Sequence, residues 1–250
     1  SDALYPSVTM DFNHWNRDDD GQEEGRRYGG GGRWYITPEY WVDAHLYYMD
    51  YEYRKLDDFW GGFLRLRLPH PWLDGEVSLE ASLDEIDALP AIRAGIEQWQ
   101  YSARTSSRLA DHLVLHMNGT HVDREDGNTS WLFDGRLLWT SASHPWLAIG
   151  PCAHMADSEH DPERYYAPEE AEQYQVCGSV QGAYRRLEAS GSLQAGYGRE
   201  KGTDWDFVWS GRLLLKADFG RFVRPYAEVT YADSAVYDRF QATGGISALF

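Results

Sequence analysis

The sequence predicts an all-β chain: a single closed antiparallel transmembrane β-barrel over residues 1–250, with about fourteen strands in a range of roughly twelve to sixteen. Three observations predict it. Apolar and polar residues alternate with period two in segment after segment, the connections between segments alternate in length, and aromatic residues make up 15% of the chain, with 11 Trp and 17 Tyr. Rings with one wet and one apolar end suit the two membrane–water interfaces. No run approaches the roughly 18–20 apolar residues a transmembrane helix needs; barrel strands do not show one, because their alternation averages to near neutrality.

Taken in order, noisy alternation over 7–15 and a Gly-rich segment over 28–37 open the chain, followed by 42–49 and 60–68. Over Leu73 to Asp84 the pattern is clean: Leu73, Gly75, Val77, Leu79, Ala81 and Leu83 face one side, and Asp74, Glu76, Ser78, Glu80, Ser82 and Asp84 the other. Segments 96–104, 112–121, 131–140, 146–155 and 174–184 follow. Leu187 to Tyr197 is again clean, as are Trp209 to Phe219 and Val223 to Tyr231, each run about ten residues long, which is what a strand tilted near 45° needs to cross the hydrocarbon layer. Phe240 to Phe250 ends on an apolar-face Phe, the form of the signal read by outer-membrane assembly machinery. Short turns are expected at Thr37-Pro38, Leu68 to Pro71, Ser141 to Pro145, Arg185-Arg186 and Phe219-Gly220. Longer ones are expected at Asp18 to Glu24, Asp123 to Asn128, Asp157 to Glu170, Arg199 to Asp204 and Ala232 to Asp238. One set of turns facing the periplasm and the other the exterior has this form. A soluble β-sandwich also buries one face of each strand, but its outward residues would be polar.

The net charge of −17 argues against nucleic acid as a partner. Its acids, concentrated at Asp18-Asp19-Asp20, Glu23-Glu24 and Asp157 to Glu172, read either as solubilising loop charge or as an electronegative pore mouth. Cys152 and Cys177 are too few for a disulfide framework; in an oxidising compartment they could pair across neighbouring strands, but alternation does not settle whether they point the same way. Without a charged-then-apolar leader at Ser1, a signal peptide is expected to have been removed or to belong to a larger precursor.

Three features carry a family resemblance: Asp126-Gly127-Asn128 with Arg104 and Arg108 upstream, Tyr165-Tyr166-Ala167-Pro168-Glu169, and the closing pattern from Tyr226 to Phe250. Over roughly Ile92 to Phe250 the chain resembles the carboxy-terminal barrel of tetratricopeptide-containing exopolysaccharide exporters, the family of the poly-N-acetylglucosamine porins with the Pel and cellulose exporters as relatives. Those barrels are usually drawn with sixteen strands, and a helical-repeat scaffold would lie upstream of Ser1. The resemblance implies a Gram-negative outer-membrane conduit that passes a biofilm polysaccharide without cofactor. Synthesis at the inner membrane would drive it, with periplasmic or inner-membrane synthase components as further partners and outer-membrane lipid as the solvent of the apolar face.

A partly deacetylated hexosamine polymer is cationic, so polar-face carboxylates are the expected lining: Asp74, Glu76, Glu80 and Asp84 first, then Asp43, Asp134, Glu188, Asp218 and Glu228. The competing reading is a cross-strand ladder that pairs these acids with Arg65, Arg67, Arg104, Arg136, Arg212, Lys216 and Arg224. Both readings are compatible in a wide barrel. Tyr47 and Tyr226, on the polar face, are candidates for stacking on sugar rings or for packing among their neighbours. A general or small-solute porin, or a conduit sheathing another protein, is the alternative function.

An enzyme is not expected. A barrel phospholipase needs a His and a Ser in reach of each other, and His116-Met117-Asn118-Gly119 has no Ser two residues after its His. No metal site is expected either, because His14, His45 and His70 are scattered.

Overall fold

Period-two patterning sends alternate side chains to opposite faces of an extended chain, and the segments that carry it are strands: β1 (Ser7–Asp18), β2 (Gln22–Tyr35), β3 (Trp41–Tyr51), β4 (Phe59–Pro69), β5 (Asp74–Glu85), β6 (Glu97–Ala110), β7 (Leu113–Arg124), β8 (Thr129–Thr140), β9 (Leu147–Ser158), β10 (Ala171–Tyr184), β11 (Leu187–Arg199), β12 (Asp206–Ala217), β13 (Val223–Asp233) and β14 (Asp238–Ala248). The computed structural model describes residues 7–18, 22–37, 39–51, 58–70, 74–86, 91, 94–160, 162–163, 165–218, 223–233 and 238–248. Side chains are described along twelve strands, β2–β13; β1 contributes backbone alone, and β14 backbone with Phe240. Asp19, Asp20, Pro38, Pro71, the Phe219-Gly220 turn and the terminal Phe250 lie outside the described residues.

The strands form one sheet in which each pairs with its sequence neighbour, in the order β1 to β14. The described registers, β1–β5 and β10–β14, are antiparallel throughout. The closed barrel expected from the sequence is not met among the described residues: the sheet runs in open order from β1 to β14, with no ladder between those two strands. Several strands run past the limits expected from alternation: β6 continues to Ala110 and β7 to Arg124. Tertiary contacts gather into two units, Ser1–Ser107 with Asn118–Leu132 and Ala156–Glu169, and Arg108–Met117 with Phe133–Met155 and Glu170–Phe250.

In the first unit the register aligns Asp43, Arg65 and Glu80 across β3, β4 and β5. The opposite face carries Leu46, Trp60, Leu64 and Leu79, all exposed, Leu46 to 61%. Ring contacts link Tyr48 to Trp60 at 5.0 Å and His121 to Trp131 at 4.3 Å. All four lie near the ends of their strands beside the odd-numbered connections, where an aromatic belt is expected. In the second unit Gly191, Leu213, Val229 and Ala242 share one register row on the exposed apolar face. Exposed Leu193, Leu213, Leu215 and Val229 in water would form an aggregation-prone patch; against hydrocarbon they are in their own solvent.

Among the described residues, two small clusters of buried apolar side chains stand out. Ile86, Ala91, Ile96, Tyr165 and Ala167 pack together where the β5–β6 and β9–β10 connections meet. Tyr47 and Phe59 form a second cluster with Met49 and Leu83. On the polar face of β9 and β10, Cys152 and Cys177 form a disulfide with Cα atoms 5.9 Å apart, resolving the pairing that alternation had left open.

Candidate functional site

The face opposite the exposed Leu and Trp side chains is the candidate site. Pleating fixes its membership: once Leu46, Leu64 and Leu79 face outward, Asp43, Tyr47, Arg65, Arg67, Asp74, Glu76, Glu80 and Asp84 must share the other face. The cross-strand rows then bring opposite charges together. Arg33 Nη2 contacts Asp43 Oδ2 at 2.9 Å, Arg65 bonds Glu80, Arg67 bonds Glu76, and Arg104 stands 4.0 Å from Glu80. Arg33 also lies over the Trp41 ring at 3.9 Å, a cation–π contact. The ladder reading is therefore realised for Glu76 and Glu80. The Arg33 partner of Asp43 was missed because glycines at 29–32 leave β2 with little alternation to read. Tyr47 donates from its hydroxyl to Asp84.

In the second unit Arg212 grips Glu228 with two bonds, 2.7 and 3.0 Å, the fork geometry favoured between guanidinium and carboxylate. His154 Nδ1 donates to Asp134 Oδ1 at 2.8 Å. Arg136 and Arg212 line a cavity of about 330 Å³ with Ser179, Ser192 and Gln194. Glu188 and Lys216 are register partners on β11 and β12.

Two expectations need correction, the open ring of Tyr47 and the wall position of Asp218. Tyr47 is 3% exposed, too covered to offer a ring face to a sugar. Its ring lies over its register partner Gly61, where an added Cβ would fall 2.3 Å from the ring atoms, so the glycine is the space the ring fills. Tyr226, 36% exposed, keeps an open face. Asp218 lies past the end of β12, where its backbone N–H donates to the Arg186 carbonyl at 2.8 Å; the strand stops at Ala217 and takes Asp218 out of the alternating wall. Arg224 is placed by its backbone opposite Ser247, and its side chain lies outside the described residues.

One arrangement had no counterpart in the alternation. The two loop motifs, Asp126-Gly127-Asn128 and the segment beginning Tyr165, lock together. Asn128 is fully buried; its amide donates to the His160 carbonyl at 3.1 Å and to the Tyr165 hydroxyl at 3.2 Å, and that hydroxyl donates to Asp126 at 2.7 Å. Gly127 makes the turn with φ +84°, a conformation that costs little only for glycine. Below it, Arg124 donates to Ser130 at 2.6 Å, Ser130 and Ser158 lie 2.7 Å apart, and the Arg124 guanidinium sits 5.0 Å from the Tyr165 ring. Burial, with the bond to Asp126, raises the Tyr165 phenol above its ordinary value near 10. The neutral hydroxyl that bridges the two connections is therefore the form the site holds.

Among the described residues no group of three or more His, Cys, Asp or Glu is placed to hold a metal ion. No helix is long and apolar enough to cross a membrane, which says nothing of a chain that crosses with strands.

No protein-family model and no curated protein sequence matches the chain. Among solved structures it is similar to a bacterial polysaccharide outer membrane secretin, with 12% identity over 97% of this chain and 87% of that one, at a TM-score of 0.69. It also aligns with OmpT, an outer membrane protein of Vibrio cholerae, in its trimer form, with 13% identity over 97% and 98% at a TM-score of 0.46. A loop L8 deletion form of that protein aligns with 13% identity over 97% and 99% at 0.47. At these identities the first likeness speaks for the fold: an antiparallel all-β sheet of the outer-membrane β-barrel kind. Such a sheet, presenting an oily face to its surroundings and a polar, ion-paired face on the other side, belongs in the outer membrane.

Proposed function

We propose that the chain is an outer-membrane pore for export of a secreted polysaccharide, a passive conduit without cofactor or chemistry of its own. In this reading β14 meets β1, because an unpaired strand edge in hydrocarbon would leave its backbone groups unsatisfied. The polar face then lines the bore. The observation that carries the polymer's charge is the wall built by β3–β5: its polar face presents five carboxylates, Asp43, Asp74, Glu76, Glu80 and Asp84, against Arg65 and Arg67 of the same strands and Arg33 and Arg104, which reach Asp43 and Glu80 from the flanking strands, a surplus of one negative charge. A negative surplus on a wall attracts cations without gripping any one unit. A partly deacetylated hexosamine polymer fits it, moving under the push of synthesis at the inner membrane. The resemblance of the loop motifs to those of exopolysaccharide exporters and the fold likeness to a polysaccharide secretin support this reading over a general solute channel.

Ion current through the purified protein in a planar bilayer tests it. Replacing Asp74, Glu76, Glu80 and Asp84 by their amides should lower the cation-to-anion permeability ratio by at least about twofold, since Arg65 and Arg67 would then be uncompensated. An unchanged ratio would remove the electronegative lining, and absence of any conductance would remove the pore.

A further inference from the structure

A cavity of about 530 Å³ opens on the polar face of the second unit, between the β8–β9 connection and strands β10, β11 and β12. That volume lies within the roughly 300–1,000 Å³ typical of small-molecule sites. Its lining includes Trp146, Gln181, Glu188, Ser190, Leu214 and Lys216. Pleating places the four polar side chains on one face. Gln181 and Ser190 are register partners on β10 and β11, and Glu188 and Lys216 on β11 and β12. Trp146 stands just before β9, anchored because its carbonyl accepts the Gln181 N–H at 2.9 Å; the residue is 48% exposed and its ring meets His144 edge-on at 5.5 Å.

The contrast with the paired carboxylates of the polar face is chemical. Glu76, Glu80, Asp43 and Glu228 are held by arginines. Among the described residues, the side chains of Gln181, Glu188, Ser190 and Lys216 have no polar partner within the protein, although Glu188 and Lys216 sit directly opposite each other. An amide, a hydroxyl, a carboxylate and an ammonium thus converge, unspent, beside an open indole. One positive and one negative charge cancel, so the cavity does not select by net charge. It presents several donors and acceptors to a ligand dense in hydroxyls, and an aromatic platform to a flat C–H face. A hexopyranose ring has both.

We infer that this cavity is a saccharide subsite that seats one hexopyranose unit against Trp146, with its hydroxyls bonded to Gln181, Glu188, Ser190 and Lys216. The inference rests on the export reading and adds to it a fixed station for the chain at the short-connection end of β10–β12. A seated unit is oriented by the ring face and by hydroxyl bonds, whatever its amino group carries.

The test is oligosaccharide binding to the refolded protein in detergent, with cellotetraose and chitotetraose as probes, read by saturation-transfer NMR and titration. Folding of each variant is checked by heat-modifiable migration and β-sheet circular dichroism. Both probes are expected to bind. Trp146→Ala should weaken binding by about tenfold, as truncating an aromatic anchor does, Trp146→Phe should restore most of it, and the double variant Glu188→Gln with Lys216→Met should weaken it without loss of fold. Binding by neither probe, or equal affinity in Trp146→Ala, overturns the subsite. Planar-bilayer current separates this from the pore reading: a conducting protein that binds no oligosaccharide keeps the pore and loses the subsite, whereas binding abolished by Trp146→Ala in a protein that carries no current keeps the subsite and loses the pore.

Discussion

Asn128 shows how much one side chain holds at the residue scale. Its fully buried amide joins the β7–β8 connection to the β9–β10 connection through the His160 carbonyl and the Tyr165 hydroxyl. Truncation leaves buried partners without bonds, and such groups cost about 1–3 kcal/mol each. Asn128→Ala should therefore destabilise the protein by about 2 kcal/mol and speed protease cleavage between residues 159 and 170. The urea midpoint and the cleavage rate measure the two effects; a variant as resistant as the parent would show that the connections are held by something else. The sequence showed both motifs but not that they touch. Residues 37 apart in the chain meet only because three connections lie on one end of the sheet, and a rhythm of two says nothing about which loops fold onto which. Which of the two readings of Tyr47 holds was illegible for a related reason: alternation assigned its face, while its cover, Gly61 and Phe59, comes from the neighbouring strand.

At the scale of the element, legibility was high. Each stretch of alternation coincides with most of one strand, because every residue of a sheet with one oily and one wet face must choose a side. The errors lie at strand ends, where alternation fades into loop composition: β12 stops before Asp218, and β6 and β7 overrun their expected limits. The disulfide marks the same boundary of inference. Alternation does not settle whether Cys152 and Cys177 point the same way; the pairing of β9 with β10 brings them opposite, and register is not a property of either strand alone. Closing a loop of 25 residues restricts the unfolded chain by an entropy worth about 3 kcal/mol. Replacing both cysteines by serine should lower unfolding stability by that order, seen as a lower urea midpoint than the oxidised parent. If reduction of the parent leaves its midpoint unmoved, the crosslink contributes nothing beyond the sheet it spans.

The whole molecule is organised by which face meets which solvent, and neighbouring residues on one strand test that directly. Leu193, near the middle of β11, faces outward and is 55% exposed, in register with Gly178 and Gly211. Gln194, the next residue, faces the other way, and its amide donates to Ser210 at 2.6 Å. If the apolar face lies in hydrocarbon, Leu193→Arg buries a guanidinium near the bilayer midplane at a cost of about 2–4 kcal/mol. Gln194→Arg puts the same group among hydroxyls and water, where a donor is already in use, and should cost well under half as much. Reversible folding into phosphocholine vesicles over a denaturant series reads both values under one condition. Equal costs would mean that both faces see the same medium, and the membrane assignment would fall with them. A large cost at residue 193 alone would show that the net charge of −17 is tolerable because the outward wall is kept free of it.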